Sequence, residues 1–159
     1  MGSQQAATPA EPEPLGVTSA IPIACIPNVF TEAERAAHFA LAVDALVRWP
    51  LARHAVSDGY VFEYRGDEER FGALARWVSG EHRCCPWAAY SVEVGPFAAG
   101  QQGALRVRVR ASEEGVAFLA TCYEYVEKLG GVPPSDSLFR SERITPDDVR
   151  RELGRCAGC

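Results

Sequence analysis

The hexapeptide Leu105-Arg106-Val107-Arg108-Val109-Arg110 alternates apolar and cationic side chains without a break. A β-strand sends successive side chains to opposite faces, so this segment reads as a strand with one dry face and one wet face. Tyr90-x-Val92-x-Val94 repeats the alternation and sets Ser91 and Glu93 opposite the arginines. The polar, glycine-rich stretch from Gly95 to Gly103 between them reads as a long hairpin loop. A second hairpin is expected where Ala52–Val56 and Tyr60–Tyr64 flank Ser57-Asp58-Gly59, with Tyr60, Phe62 and Tyr64 on one face. Ile21, Ile23 and Cys25 also alternate and predict a short strand at the start of the fold.

Three longer segments carry helical periodicity. The first opens on the capping-box pattern Thr31-x-x-Glu34, has an inward stripe of Phe39, Val43, Leu46 and Val47, and stops at Pro50. The second starts at Asp67 with Glu68 and Glu69 on the positive end of its dipole. Its stripe of Phe71, Leu74, Ala75 and Val78 continues in phase to Cys85, whereas Cys84 aligns with Trp77. The third runs from Ser112 to Leu129, with Leu119, Cys122, Val126 and Leu129 inward, and ends at Gly130-Gly131. Thr145-Pro146 opens a further short helix ending near Gly154. The order β-α-β-β-α-β-β-α predicts an α+β fold, an antiparallel sheet with helices packed on one face.

The domain boundaries follow from composition. Residues 1–20 are rich in Ala, Pro, Glu and Gln without periodicity and read as a disordered arm. Residues 21–131 form the expected α+β core, and 132–159 a polar C-terminal extension carrying Cys156-Ala-Gly-Cys159. The net charge of -5 argues against a nucleic-acid partner, and no apolar run is long enough to span a bilayer. No charged leader with an apolar stretch opens the sequence, so a cytoplasmic location is expected. In that reducing setting six cysteines suit metal or redox use better than a disulfide scaffold.

Two of those cysteines are adjacent, Cys84-Cys85-Pro86, at the end of the second helix. Pro86 disfavours a helical Cys85, so the pair should straddle the helix end. Consecutive helical residues diverge by about 100°, so at least one thiol is expected to reach a cleft or the surface. Adjacent α-carbons lie about 3.8 Å apart, short of the usual disulfide span, so each thiol is better matched to a third group. Cys25 leads, followed by Cys156 and Cys159. Glu81, four residues before Cys85, can approach that thiol as a base or ligand, or form an ordinary ion pair. His82 faces away from Glu81, and His38 and His54 read as surface or edge residues. Cys122, inside a core stripe, reads as structural. The aromatic group Tyr60, Phe62, Tyr64, Trp77, Trp87 and Tyr90 reads as core.

The combination of Cys25, Asp58-Gly59-Tyr60, Glu81-x-x-Cys84-Cys85-Pro86-Trp87 and the valine-rich hairpin resembles an uncharacterised group of small bacterial proteins. Their shared pattern is an early cysteine, an Asp-Gly-hydrophobic strand, and a helix ending in Glu-x-x-Cys-Cys-Pro. The resemblance spans Ile23 to about Lys128 and implies a common domain with a thiol site, without naming a reaction.

The chemistry expected first is soft-metal binding by Cys84 and Cys85, with Cys25, Cys156 and Cys159 as further ligands. A thiophilic ion such as zinc, copper(I) or mercury(II) would be the partner. The alternative is a thiol-disulfide or thiol-transfer enzyme. In it Cys84 or Cys85 is the nucleophile, Glu81 or His82 the proton acceptor, a tail cysteine the resolving thiol, and a small thiol the partner. A plain interaction domain with incidental cysteines is the third reading.

Overall fold

A computed structural model describes residues 21–97, 103–129 and 142–156. The expected N-terminal arm, most of the hairpin loop after Gly95, the Gly130-Gly131 stop and Cys159 lie outside them.

The alternation of apolar and polar residues builds four strands: β1 (Ala52–Val56), β2 (Gly59–Arg65), β3 (Ala89–Gly95) and β4 (Ala104–Arg110). They form one antiparallel sheet in the order β1-β2-β4-β3. Ser91 pairs with Arg108 and Glu93 with Arg106, so the polar side chains share the outer face as their spacing predicts. Four α-helices occur among the described residues: α1 (Glu32–Val43), α2 (Glu68–Cys84), α3 (Glu113–Leu129) and α4 (Pro146–Cys156). Trp77 of α2 and Tyr123 of α3 both meet Phe62 of β2 edge-on, with ring centroids 6.5 and 5.4 Å away. Those contacts put the helices over the sheet's apolar face, an α+β architecture.

Gly59 makes the first hairpin possible. Its φ of +154° is a conformation that side chains rarely adopt, and a β-carbon there would overlap the carbonyl of Val109. The turn is tied to the far end of β4 as well. The Asp58 carbonyl accepts from Ala111 N at 2.9 Å, and its carboxylate takes Arg108 at 3.0 Å.

The expected strand at Ile21–Cys25 does not form. Cys25 makes a single antiparallel bridge with Ile144, through N–H···O bonds of 2.9 and 2.8 Å. Pro22 has no N–H to give a ladder, and Pro27 begins a short 3₁₀ turn, Pro27–Val29, two residues on.

Two helical stripes are re-phased. The α1 capping box forms as expected: Glu34 N–H donates to Thr31 Oγ1 and Thr31 N–H to Glu34 Oε2. The helix then widens into a π turn, Asp44–Arg48, closed by Trp49 N–H on the Asp44 carbonyl. The extra residue per turn rotates Val47 to 39% exposure and brings Ala45 inward beside Leu46. In α2 the buried line is Ala73, Leu74, Trp77 and Gly80, while Phe71 is 42% exposed and Ala75 is also exposed. Leu74 alone of the expected stripe is fully buried; Val78 is half-buried.

The segment after Ile144 enters the same core, through Ile144, Val149 and Leu153, and α4 packs on α3. Thr145 caps α4 by exchanging bonds with Asp148: its N–H and hydroxyl both donate to Asp148 Oδ2.

Candidate metal centre

The site begins with the way α2 ends. Cys84 is its last helical residue, and Cys85 leaves the helix at φ −123°, ψ 67°, as Pro86 demands. Cys85 N–H still reaches back to the Glu81 carbonyl at 2.6 Å. The last orphan carbonyl of the helix end, that of Cys84, accepts from Ile26 N at 2.9 Å. Trp87 Nε1 donates to the Ala24 carbonyl at 2.9 Å. With the Ile144 bridge, these bonds anchor the backbone on both sides of Cys25 and lay it across the end of α2. Arg83 holds the following turn: its guanidinium donates to the Val29 carbonyl at 2.6 Å and lies over the Phe30 ring at 4.7 Å.

The result is a cluster of three sulfurs. Cys25, Cys84 and Cys85 have their Sγ atoms within 4.8 Å of one another, and Cys25 Sγ and Cys85 Sγ are 2.8 Å apart. Cys85 is buried at 4% exposure and the other two are half-buried. At least one of the pair was expected to reach a cleft, and both line one, but the expected divergence of Cys84 and Cys85 is corrected. The 100° rule applies only between two helical residues, and Cys85 is not one, so both thiols turn toward Cys25.

Glu81 is not in the three-sulfur group. Its Oε1 accepts from Trp77 Nε1 at 3.1 Å and faces His38 Nε2 at 3.0 Å. His38 is thus no simple surface residue; 15% of its side chain is exposed, and its ring stacks on Phe30 with centroids 4.8 Å apart. Its position was readable as the start of the inward line through Phe39 and Ala42. Gly80 makes room for it, since a β-carbon there would overlap the imidazole. His82 is exposed on the last turn of α2. Cys156 closes α4 and its side chain lies outside the described residues, as does Cys159.

Cys122 packs against the core, as its stripe predicts, and has a second neighbour that the sequence concealed. It is half-buried on α3 and lines the same cavity as the cluster, rather than serving as core filling alone. Its spacing placed it on an inward stripe, but only the fold brings it beside Cys25.

The electrostatics disfavour free thiolates. Contact with Cys122 leads the influences that raise the Cys25 pKa, joined by burial. The Cys25 contact and burial push the Cys84 thiol up, and contacts with Cys25 and Cys84 plus burial push Cys85 well above the ordinary range. The carbonyl end of α2 acts in the same direction. Such thiols are poor nucleophiles at neutral pH, whereas a soft cation displaces their protons and binds the sulfurs it exposes.

The fold and the cluster define a small α+β protein with a partly buried three-cysteine cluster spaced closely enough to hold a metal ion. No protein-family model, curated protein or solved structure matches the chain. No helix among the described residues is long and apolar enough to cross a membrane.

Proposed function

We propose that this protein binds a thiophilic metal ion through Cys25, Cys84 and Cys85. The observation that carries the reading is the mutual approach of three sulfurs within 4.8 Å, built by segments 60 residues apart. Sulfur donors select zinc, copper(I) or mercury(II) over magnesium or calcium. The Glu81 and Cys84 carbonyls, Pro86 and the Trp87 indole each help to hold that cluster, which favours extending the resemblance to the small bacterial group to its site. A reducing cytoplasm is the compartment in which such thiols stay available. Cys156 and Cys159 are assigned here as an accessory pair that delivers or accepts the ion.

Native mass spectrometry of protein purified anaerobically without chelators tests the reading. It is paired with zinc, copper(I) and mercury(II) titrations of the reduced protein and of Cys84→Ser/Cys85→Ser. One ion per chain, lost in the double variant, is the expected result. Equal stoichiometry and affinity in both proteins would overturn it.

The 2.8 Å contact between Cys25 and Cys85 favours a second reading, thiol-disulfide exchange. The raised thiol pKa values weigh against it. Disulfide mapping with an insulin-reduction assay separates the two: catalytic turnover that vanishes in the double variant would put the enzyme first.

A further inference from the structure

The three sulfurs open onto a chamber much larger than a bare ion requires. Its volume is about 130 Å³, and its walls include Ala42, Leu46, Leu119, Val126 and Ile144. His38 and Glu81 stand at its polar edge, already bonded to each other. An apolar protein cavity of about 150 Å³ stays dry and takes up benzene, so this chamber is of a size for a phenyl ring or a short alkyl chain. Apolar space beside a cluster of soft donors suits a ligand that is soft at one end and hydrocarbon at the other.

Neutrality and the apolar chamber together narrow the choice, since mercury(II) on two thiolates or arsenic(III) on three is also neutral but brings no hydrocarbon to fill the space. A largely apolar, partly buried site disfavours net charge. A mono-organic trivalent arsenic or antimony centre, R–M(III), takes two thiolates and leaves a neutral complex. It uses two of the three clustered thiols, whereas a mono-organic mercury(II) cation is neutralised by one.

We infer that the site's preferred ligand is a mono-organic trivalent metalloid, with M(III) on two sulfurs of the Cys25–Cys84–Cys85 cluster and R in the apolar chamber. This inference rests on the thiophilic-site reading. The binding step is an exchange without redox change: R–As(OH)₂ and two Cys–SH give R–As(S–Cys)₂ and two waters. Two As–O bonds break, two As–S bonds form, the thiol protons leave in the water, and arsenic stays trivalent.

The test titrates the reduced full chain with phenylarsine oxide and with arsenite, each in competition with 2,3-dimercaptopropanol. Tryptophan fluorescence and intact mass provide the readouts. The quantity read is the phenyl-to-inorganic affinity ratio relative to that of the free dithiol. Burial of a phenyl-sized group is expected to raise it about thirtyfold. Ala42→Leu, which fills the chamber, should lower that ratio toward the free-dithiol value. Leu119→Ala, which enlarges it, should shift the preference toward a naphthyl arsenical and gives a second handle if the first variant folds poorly. A ratio equal to that of the free dithiol, with arsenite or mercury(II) still bound, would overturn the inference and leave the metal reading standing. Failure of every thiophilic probe to bind would overturn both.

Discussion

The outer face of the sheet and the carbonyl end of α2 both gather reactive side chains, and they treat them in opposite ways. On the sheet two arginines meet carboxylates. Arg106 takes Glu63 at 2.7 Å and Arg108 takes Asp58 at 3.0 Å, all partly in water. At the helix end like meets like: Cys25, Cys84 and Cys85 converge on one another in an apolar setting. Opposite charges in pairs neutralise one another without a ligand, although Arg106 Nε and Arg108 Nε stay buried without a hydrogen-bond partner. Three clustered thiols gain most when a soft centre replaces their protons. Density of polar groups is therefore a poor guide to a site; it is the cluster whose donor atoms are spaced to hold a metal ion.

The largest expected effect breaks the comparison directly. Cys84→Ser/Cys85→Ser should weaken mercury(II) binding by about a thousandfold or more, since even zinc draws roughly 10–16 kcal/mol from the ligand set of a zinc-finger peptide and two of three sulfurs are lost. Arg106→Gln/Arg108→Gln should leave it within about twofold, since exposed ion pairs act only locally. Competition with a chromophoric chelator measures both. Comparable losses in the two variants would show that the sheet face takes part.

Gly59→Ala comes next. Its β-carbon would overlap the Val109 carbonyl, so a loss of about 3 kcal/mol in denaturant unfolding is expected, with little change in metal affinity once folded. Gly80→Ala acts at the other region by driving the imidazole of His38 off Glu81. A cost of about 1–3 kcal/mol is expected, together with altered reactivity of Cys84 toward alkylating reagents. Unchanged reactivity would uncouple the His38–Glu81 pair from the sulfur cluster.

A pH titration sharpens the picture further. Burial opposes protonation of His38, but the Glu81 hydrogen bond and charge outweigh it and raise its pKa above the ordinary value. A raised folded-state pKa makes the contribution to stability complete below the unfolded pKa near 6.5 and diminishes it as pH rises through the folded value. Glu81→Gln should flatten that slope and cost about 1.5–3 kcal/mol on the acid side, as a hydrogen bond to a charged group does. The smallest effect belongs to Arg106→Gln alone, below about 1 kcal/mol in chemical unfolding.

Local signals were legible where the chain makes its own decisions. The Thr31–Glu34 box, the Asp67 cap, the Asp58-Gly59 turn and the alternation of β4 each act within a few residues, and each forms as its spacing predicts. The phase of a helix is less local. Phe71 and Val78 outscore Gly80 in hydrophobicity. Yet the buried face of α2 runs through Trp77 and Gly80, because Phe62 receives the indole and His38 needs the space beside the glycine. The π turn at Asp44–Arg48 likewise turns Val47 out of a stripe it fits by count.

At the site, the sequence alone determined that α2 would stop between two thiols, since Pro86 bars helix at the residue before it. Which thiols meet was a tertiary decision. Cys25 is carried there by Ile26 on the Cys84 carbonyl, Trp87 on the Ala24 carbonyl, and the bridge to Ile144. Cys122 and His38 arrive on α3 and α1, packed against that end. A hydrogen bond between residues about 60 positions apart leaves no periodic trace in a sequence, because its partners are selected by the packing of whole elements and not by the spacing of neighbours.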